Sequence, residues 1–172
     1  IRLSLVGSEM CIRDSMNSLS VQAASPDFAF DMDLLANGPL VFHGENGFSQ
    51  KSAEGQASYY YSQPFYKISG TLNLPEGDIP VTGSAWLDRE WSSQPLSDDQ
   101  KGWDWFSLSF EDGEKMMGFQ LRQSDGSHYT SATWIDVNGE TQSYPDGAFM
   151  AEPLEETRAV SYTHLTLPTK RI

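Results

Sequence analysis

Alternating apolar and polar residues run through the middle of the chain and predict β-strands. In KISGTLNL, residues 67–74, every second residue is apolar or glycine, which is typical of a half-buried strand. The aromatic stretch ASYYYS at residues 57–62 predicts a separate strand, which Pro64 is expected to end. No stretch has a helical period with caps, so the pattern predicts an all-β fold.

Three turn signals divide the second half of the chain. They are Asp-Gly at 112–113, Asp-Gly at 125–126 and Asn-Gly at 138–139, and their glycines are evenly spaced along the sequence. Such pairs favour two-residue hairpin loops, because both central residues need a positive φ. The spacing therefore predicts an antiparallel meander, as in the wall of a β-barrel.

Two-residue loops would also fix which residues face each other in these hairpins. The register then pairs Trp103 with Arg122 and Trp105 with Gln120, and the next hairpin places Tyr129 beside Arg122. The opposite face is predicted to be a plain apolar core of the following residues: Phe106, Leu108, Met117, Phe119, Ala132 and Trp134.

The face that carries Trp103 and Trp105 combines large aromatic residues with one cation and one amide. Apolar walls with a few polar anchors are typical of a ligand cavity, so this face predicts binding of a small hydrophobic molecule. In the alternative, the tryptophans lie on the outer surface and Arg122 covers a ring. The cavity is favoured because all five tryptophans fall between residues 86 and 134, and exposing several together would promote aggregation.

The segment AWLDREW at residues 85–91 is the densest in charge and tryptophan. Strand alternation places Trp86, Asp88 and Glu90 on one face. A carboxylate beside an indole in a closed barrel would lose hydration and become a candidate proton donor. Equally, the two acids are strand-end charges that pair with Arg89 or Arg122.

The two ends of the chain differ from the middle in charge. The whole chain has 11 basic and 24 acidic residues, and residues 1–15 and 160–172 contribute four and two of them, so the body carries 7 − 22 = −15. Both ends are similar to translated adapter sequence from environmental assemblies. We therefore expect them to be artefacts, or else disordered tails, that do not pack on the fold.

The composition of the chain argues against several kinds of site and partner. Cys11 is the only cysteine and lies in the leading segment, so the body has no thiol chemistry or disulfide. His43 and His128 are too isolated for a zinc site and are interpreted as surface or loop residues. The acidic charge argues against a nucleic-acid partner. No run reaches the roughly 18 apolar residues of a membrane span, although peripheral membrane association is compatible with the sequence.

The sequence resembles a known family. The runs YYYSQPFYKISGTLNL, VTGSAWLDREWSSQPL and GWDWFSLSFEDGEKMMGFQLR are similar to AttH-type predicted secreted hydrolases, which are related to carotenoid 1,2-hydratase, over residues 43–154. The resemblance implies two consecutive lipocalin-like antiparallel β-barrel domains, of which this chain spans the junction. The division expected from it is the following: artefact 1–15, first domain 16–92, linker 93–101, second domain 102–159 and artefact 160–172.

The resemblance also implies a chemistry, namely addition of water to a double bond of an apolar isoprenoid or polyene. Asp88 occupies the position of the acidic residue, and Trp86 stands where the hydratases have a tyrosine that can relay a proton. Catalytic candidates are thus Asp88, Glu90 and Trp86. Candidate ligand-binding residues are the following: Trp91, Trp103, Trp105, Gln120, Arg122 and Tyr129.

No cofactor or metal is implied, and the resemblance suggests a secreted or periplasmic protein. Neither a Gly-x-Ser-x-Gly motif nor a Ser/His/Asp set supports a hydrolase. Two further readings stay open beside the enzyme: a lipocalin-like carrier without catalysis, and a carbohydrate-binding module whose tryptophans face outward and stack on sugars.

Overall fold

The computed structural model describes residues 2–5, 8–93, 97–153, 155–159 and 162–166, and it describes side chains from residue 15 onward as far as residue 153. All regular elements in these ranges are strands. Their bounds are β1 Arg2–Leu5, β2 Ser8–Ser15, β3 Ser18–Ala24, β4 Ala29–Ala36, β5 Val41–Phe42, β6 Phe48–Gln50, β7 Ala57–Leu74, β8 Gly77–Trp91, β9 Gln100–Ser109, β10 Lys115–Gln123, β11 His128–Ile135, β12 Thr141–Tyr144, β13 Glu155–Ala159 and β14 Tyr162–Thr166.

Every pairing between the described strands is antiparallel, which confirms the all-β prediction. The first sheet runs β1-β2-β3-β4-β7, and β5, β6 and β8 also pair with β7. The second sheet has the order β12-β11-β10-β9, and β13 pairs with β14. The second sheet is the meander that the evenly spaced turns predicted. The division into two domains stays a prediction.

At the two ends of the chain, the described residues form strands. Strand β2 pairs with β3 from Glu9↔Ala24 to Ser15↔Ser18, so the leading segment continues the first sheet. In the trailing segment, the described residues Tyr162–Thr166 form β14, which pairs with β13. Backbone pairing does not depend on the charge of the side chains. That the two ends are artefacts stays a prediction.

Strand β7 corrects a second expectation, because Pro64 does not end it. Residues 57–74 form one strand of 18 residues, and the pairing with β8 shifts register between Gln63 and Tyr66. A proline has no N–H to donate to the ladder and is tolerated at such an irregularity. The long strand therefore carries both the aromatic stretch and the alternating stretch, and it gives β8 a partner along its whole length.

The predicted hairpin register is wrong by one residue. The loops have three residues: Phe110 and Gln123 accept hydrogen bonds from Gly113 and Gly126, and they donate to Glu114 and Ser127. The third loop, closed by Asp136 and Glu140, has the same form. In such loops a type I turn is followed by one glycine in the left-handed region. The glycines at 113, 126 and 139 have φ of 93°, 87° and 87°.

This one-residue shift exchanges the faces of β10 relative to β9. Trp103 lies opposite Leu121 and Trp105 lies opposite Phe119, not opposite Arg122 and Gln120. Phe119 and Met117, predicted for the plain core, instead pack in a cluster with Tyr60, Leu121 and Tyr129. The plain core is confirmed for the remaining residues, which pack around Met116 and Phe149: Phe106, Leu108, Ala132 and Trp134.

Candidate functional site

A cavity of about 390 Å³ lies where strands β7 and β8 of the first sheet meet β9 and β10 of the second. Its position follows from the corrected register, which turns Trp103, Trp105, Phe119 and Leu121 toward β7 and β8. The cavity is lined by Lys51, Gln56, Ala57, Ser58, Tyr60, Asp88, Glu90, Trp91, Ser92, Gln100, Trp103, Trp105, Phe119 and Leu121.

The predicted alternation of β8 is confirmed. Asp88 and Glu90 line the cavity, and Trp86 packs against the buried cluster that contains Tyr60. Ala85 and Leu87 pack on the other side, in a separate cluster around Tyr66. Strand β8 thus brings the three catalytic candidates to one face.

One oxygen of Asp88 accepts three hydrogen bonds. The donors are the Tyr60 hydroxyl at 2.8 Å, the Ser62 hydroxyl at 2.5 Å and the Trp86 indole Nε1 at 2.9 Å, and all three reach Oδ1. All three hydrogen bonds end on the same oxygen, and Oδ1 accepts them whether or not Oδ2 carries a proton. No hydrogen bond to Oδ2 is present among the described residues, so the second oxygen is available to a ligand.

The phenol of Tyr60 also links the two sheets. Trp105 of β9 donates its indole N–H to the Tyr60 hydroxyl at 2.9 Å. The Tyr60 side chain is buried, and burial, followed by the charge of Asp88, raises the pKa of this phenol. Tyr60 therefore keeps its proton at neutral pH and donates it to Asp88 as a hydrogen bond. Tyr60 is one of three consecutive tyrosines, and it is not among the site residues predicted from the sequence.

Behind Ser62 lies His43, which the sequence analysis interpreted as a surface or loop residue. The residue does lie in a loop, immediately after β5, but it is not at the surface. His43 is fully buried, and its Nε2 lies 2.7 Å from the Ser62 hydroxyl oxygen. Since Ser62 donates to Asp88, its oxygen accepts from the Nε2–H of a neutral imidazole. Burial, and secondarily the charge of Lys51, lowers the pKa of His43 to about 3. His43 is thus an uncharged donor at the end of a relay that leads to Asp88.

Glu90 has a partner of its own. Its Oε1 accepts from Lys51 Nζ at 2.7 Å and from the Ser58 hydroxyl at 2.6 Å. The Lys51 ammonium also lies 3.8 Å from the centroid of the Phe119 ring. Desolvation lowers the pKa of Lys51, and the charge of Glu90 opposes that shift. In one of the two interpretations of these acids they pair with Arg89 or Arg122, but the cation at Glu90 is Lys51.

The structure does not bring Gln120, Arg122 and Tyr129 to the cavity wall. Arg122 forms an ion pair with Asp104, and Gln120 Oε1 accepts from the backbone N–H of Ala151 at 3.3 Å. The register shift is the reason, since it places Gln120 and Arg122 on the opposite face of β10 from Phe119 and Leu121. Tyr129 is buried in the cluster with Tyr60 and is not among the cavity-lining residues.

The remaining predicted ligand residues do line the cavity. Trp91, Trp103 and Trp105 are 55%, 61% and 39% exposed and lie where the cavity meets solvent. Trp86 faces inward and donates to Asp88, which is not the outward position that stacking on a surface sugar requires. The aromatic groups therefore lead from exposed indoles at the cavity mouth to the buried Tyr60 and the partly buried Asp88.

The described residues hold no group of three or more His, Cys, Asp or Glu residues arranged to bind a metal ion. The same residues include no helix that is long and apolar enough to cross a membrane.

Comparison with known proteins gives the family. No curated protein matched the chain. Among solved structures, an AttH protein from Nitrosomonas europaea superposes with a TM-score of 0.80 at 38% identity, over 92% of this chain and 50% of that one. Kievitone hydratase from Nectria haematococca superposes with a TM-score of 0.69 at 19% identity, over 87% of this chain and 47% of that one. The chain thus spans about half the length of both structures. The sequence model of the AttH-like family matches residues 4–170, and the chain therefore belongs to the AttH-like family.

Proposed function

We propose that this chain supplies the acid/base site of a cofactor-independent enzyme that adds water to a double bond of an apolar isoprenoid or polyene-like molecule. The observation that carries the proposal is the environment of Asp88, whose Oδ1 accepts three hydrogen bonds beside an aromatic cavity. This arrangement holds one oxygen in place and leaves Oδ2 to exchange a proton with the ligand.

The proposed reaction balances without a cofactor. The proton on Oδ2 of Asp88 moves to one alkene carbon, whose π electrons form the new C–H bond, and the other carbon becomes a cation. The three donors at Oδ1 stabilise the carboxylate that forms in this step. Water then adds to the cation through its oxygen and returns a proton to Asp88, so the product is an alcohol.

The aromatic walls suit the cation in this sequence of steps. Tyr60, Trp103 and Trp105 all line the cavity with Asp88. The face of an aromatic ring attracts a positive charge, by up to about 2 kcal/mol or more when the pair is desolvated. Trp103 and Trp105 are exposed where the cavity meets solvent, and the water that captures the cation enters there.

One structural relative supports this proposal by its name and its fold. Kievitone hydratase is by its name an enzyme that adds water, and at 19% identity it shares the fold with this chain. Because this chain spans about half of each matched structure, we propose the activity for the complete protein.

A carrier without catalysis is the second candidate. The three donors at Asp88 and the Lys51–Glu90 ion pair also give each acid in the cavity wall a polar partner, as a binding protein requires. In a carrier, Asp88 would anchor Tyr60 and Trp86 and would transfer no proton.

The two candidates differ in the effect of Asp88→Asn. The variant would be made in the full-length protein and incubated with acyclic polyenes that end in a trisubstituted double bond. The control is Asp33→Asn, which removes an exposed carboxylate on β4. The enzyme predicts that Asp88→Asn binds the polyene and forms no alcohol, while Asp33→Asn behaves as the unmodified protein. Unchanged alcohol formation by Asp88→Asn would refute Asp88 as the acid.

A further inference from the structure

Glu90 presents a second carboxylate to the same cavity. It lies two residues from Asp88 on the same face of β8, which separates the two along the strand by about 7 Å. Its Oε1 is occupied by Lys51 and Ser58, and among the described residues no hydrogen bond reaches Oε2. The cavity therefore offers a free carboxylate oxygen at some distance from the proposed reacting centre.

The Lys51 ammonium is held by protein groups. It donates to Glu90 and to the Ser49 hydroxyl at 3.1 Å, and it lies over the Phe119 ring. Its side chain is only 19% exposed. Lys51 thus balances the charge of Glu90 while it also lines the cavity, and the pair presents a hydrogen-bond acceptor with little net charge.

We propose that Glu90 is a specificity-determining residue that selects ligands with a hydroxyl group, which donates its hydrogen to Oε2 of Glu90. This inference rests on the proposed function and names its substrate class: an apolar unsaturated molecule that carries an alcohol or phenol about 7 Å from the double bond facing Asp88. Such a molecule has its apolar body against the indoles and its polar group at Glu90.

Charged ligands fit this site less well than a neutral hydroxyl. A carboxylate would approach Asp88 in a chain of net charge −13, and Lys51, the one cation among the described lining residues, is already paired with Glu90. An ammonium group would compete with Lys51 for Glu90, and both cations would lose hydration. A hydroxyl donates one hydrogen bond and brings no charge that must be desolvated.

The test compares ligands that differ in their ability to donate a hydrogen bond. Binding of farnesol, farnesyl methyl ether and farnesylamine to the chain would be measured by the change in tryptophan fluorescence, since Trp103 and Trp105 line the cavity. The ether keeps the oxygen and cannot donate. We expect the alcohol to bind at least about tenfold more tightly than the ether, as a hydrogen bond to a charged acceptor provides.

Two variants separate this inference from the proposed chemistry. In Lys51→Met/Glu90→Met, which leaves no lone charge, the alcohol-to-ether ratio should fall to about threefold or less. In Asp88→Asn the ratio should persist. Equal binding of alcohol and ether by the unmodified chain, a ratio that survives in the double variant, or tighter binding of the amine would each overturn the inference.

Failure of the inference and failure of the proposed function give different experimental results. A strong alcohol preference in a full-length protein that forms no hydrated product supports Glu90 as the selecting residue and contradicts the enzyme. Product formation without any alcohol preference contradicts the role of Glu90 alone. The comparison of alcohol and ether in the unmodified chain requires no variant to fold.

Discussion

The phenol hydroxyl of Tyr60 donates a hydrogen bond of 2.8 Å to Oδ1 of Asp88 across strands β7 and β8. The two residues are diagonal neighbours, because the register places Ser62 opposite Asp88 and Tyr60 opposite Glu90. Diagonal neighbours on one face are within reach of aromatic side chains. By the resemblance, the hydratases have a tyrosine where this chain has Trp86. Here the phenol that reaches the carboxylate is that of Tyr60, on the neighbouring strand.

Removing this phenol should slow the reaction more than it weakens binding. Tyr60→Phe deletes one of three donors to Asp88 and leaves the indole N–H of Trp105 without its acceptor. We expect alcohol formation by the full-length protein to fall on the order of tenfold to a hundredfold, with ligand affinity changed by a few-fold at most. The control is Tyr59→Phe, which alters an exposed tyrosine on the opposite face of β7. An equal loss in both variants would contradict the role of Tyr60.

His43 predicts a pH dependence of stability. Its pKa is about 3 in the folded chain against 6.5 for a free imidazole, so the unfolded chain binds the extra proton between these values. The contribution of His43 is complete above about pH 6.5 and is lost as the pH falls toward 3, by about 1.4 kcal/mol per pH unit.

His43→Gln keeps an N–H donor near Ser62 and does not titrate. Urea unfolding at pH 7 and pH 5 should show that the free energy of unfolding falls less in this variant than in the unmodified chain, by on the order of 2 kcal/mol. His128→Gln, which replaces an exposed histidine, should leave the pH dependence unchanged. The same pH dependence in all three proteins would mean that His43 is not held neutral.

The sequence predicted the fold and β8 well, because both follow from period-two alternation. Strand β8 kept Trp86, Asp88 and Glu90 on one face, as its pattern indicated. The hairpins show the limit of such reasoning. An Asp-Gly pair suits a two-residue loop and also a three-residue loop with a terminal left-handed glycine, and the choice between them reverses a whole face.

The polar partners of the acids could not be predicted from local pattern. His43 and Lys51 lie in glycine-rich segments before β7, and each reaches the site through a contact distant in sequence. A lone histidine in such a segment is typical of the surface, and only tertiary packing buries it here. Tyr60 likewise differs from Tyr59 and Tyr61 only in its face of the strand.

The three-residue loops make a prediction of their own. Gly126 has φ of 87° and Gly83 does not have a positive φ, while a Cβ added at either position would meet no atom within 4 Å. Gly126→Ala should therefore lower the free energy of unfolding by roughly 1–2 kcal/mol, because alanine is strained in the left-handed region. Gly83→Ala should be neutral or raise it by about 0.5 kcal/mol, since alanine suits a strand better. Denaturant unfolding of both variants measures the difference, and equal effects would contradict the loop geometry.

The most direct test of the central claim is to run the reaction of the full-length protein with a polyene in D₂O and analyse the product by mass spectrometry. Protonation of the alkene by the exchangeable proton of Asp88 predicts an alcohol with one deuterium bound to carbon, formed by the unmodified protein and by Asp33→Asn and absent with Asp88→Asn. An alcohol without carbon-bound deuterium, or the same deuterated alcohol from Asp88→Asn, would contradict the account.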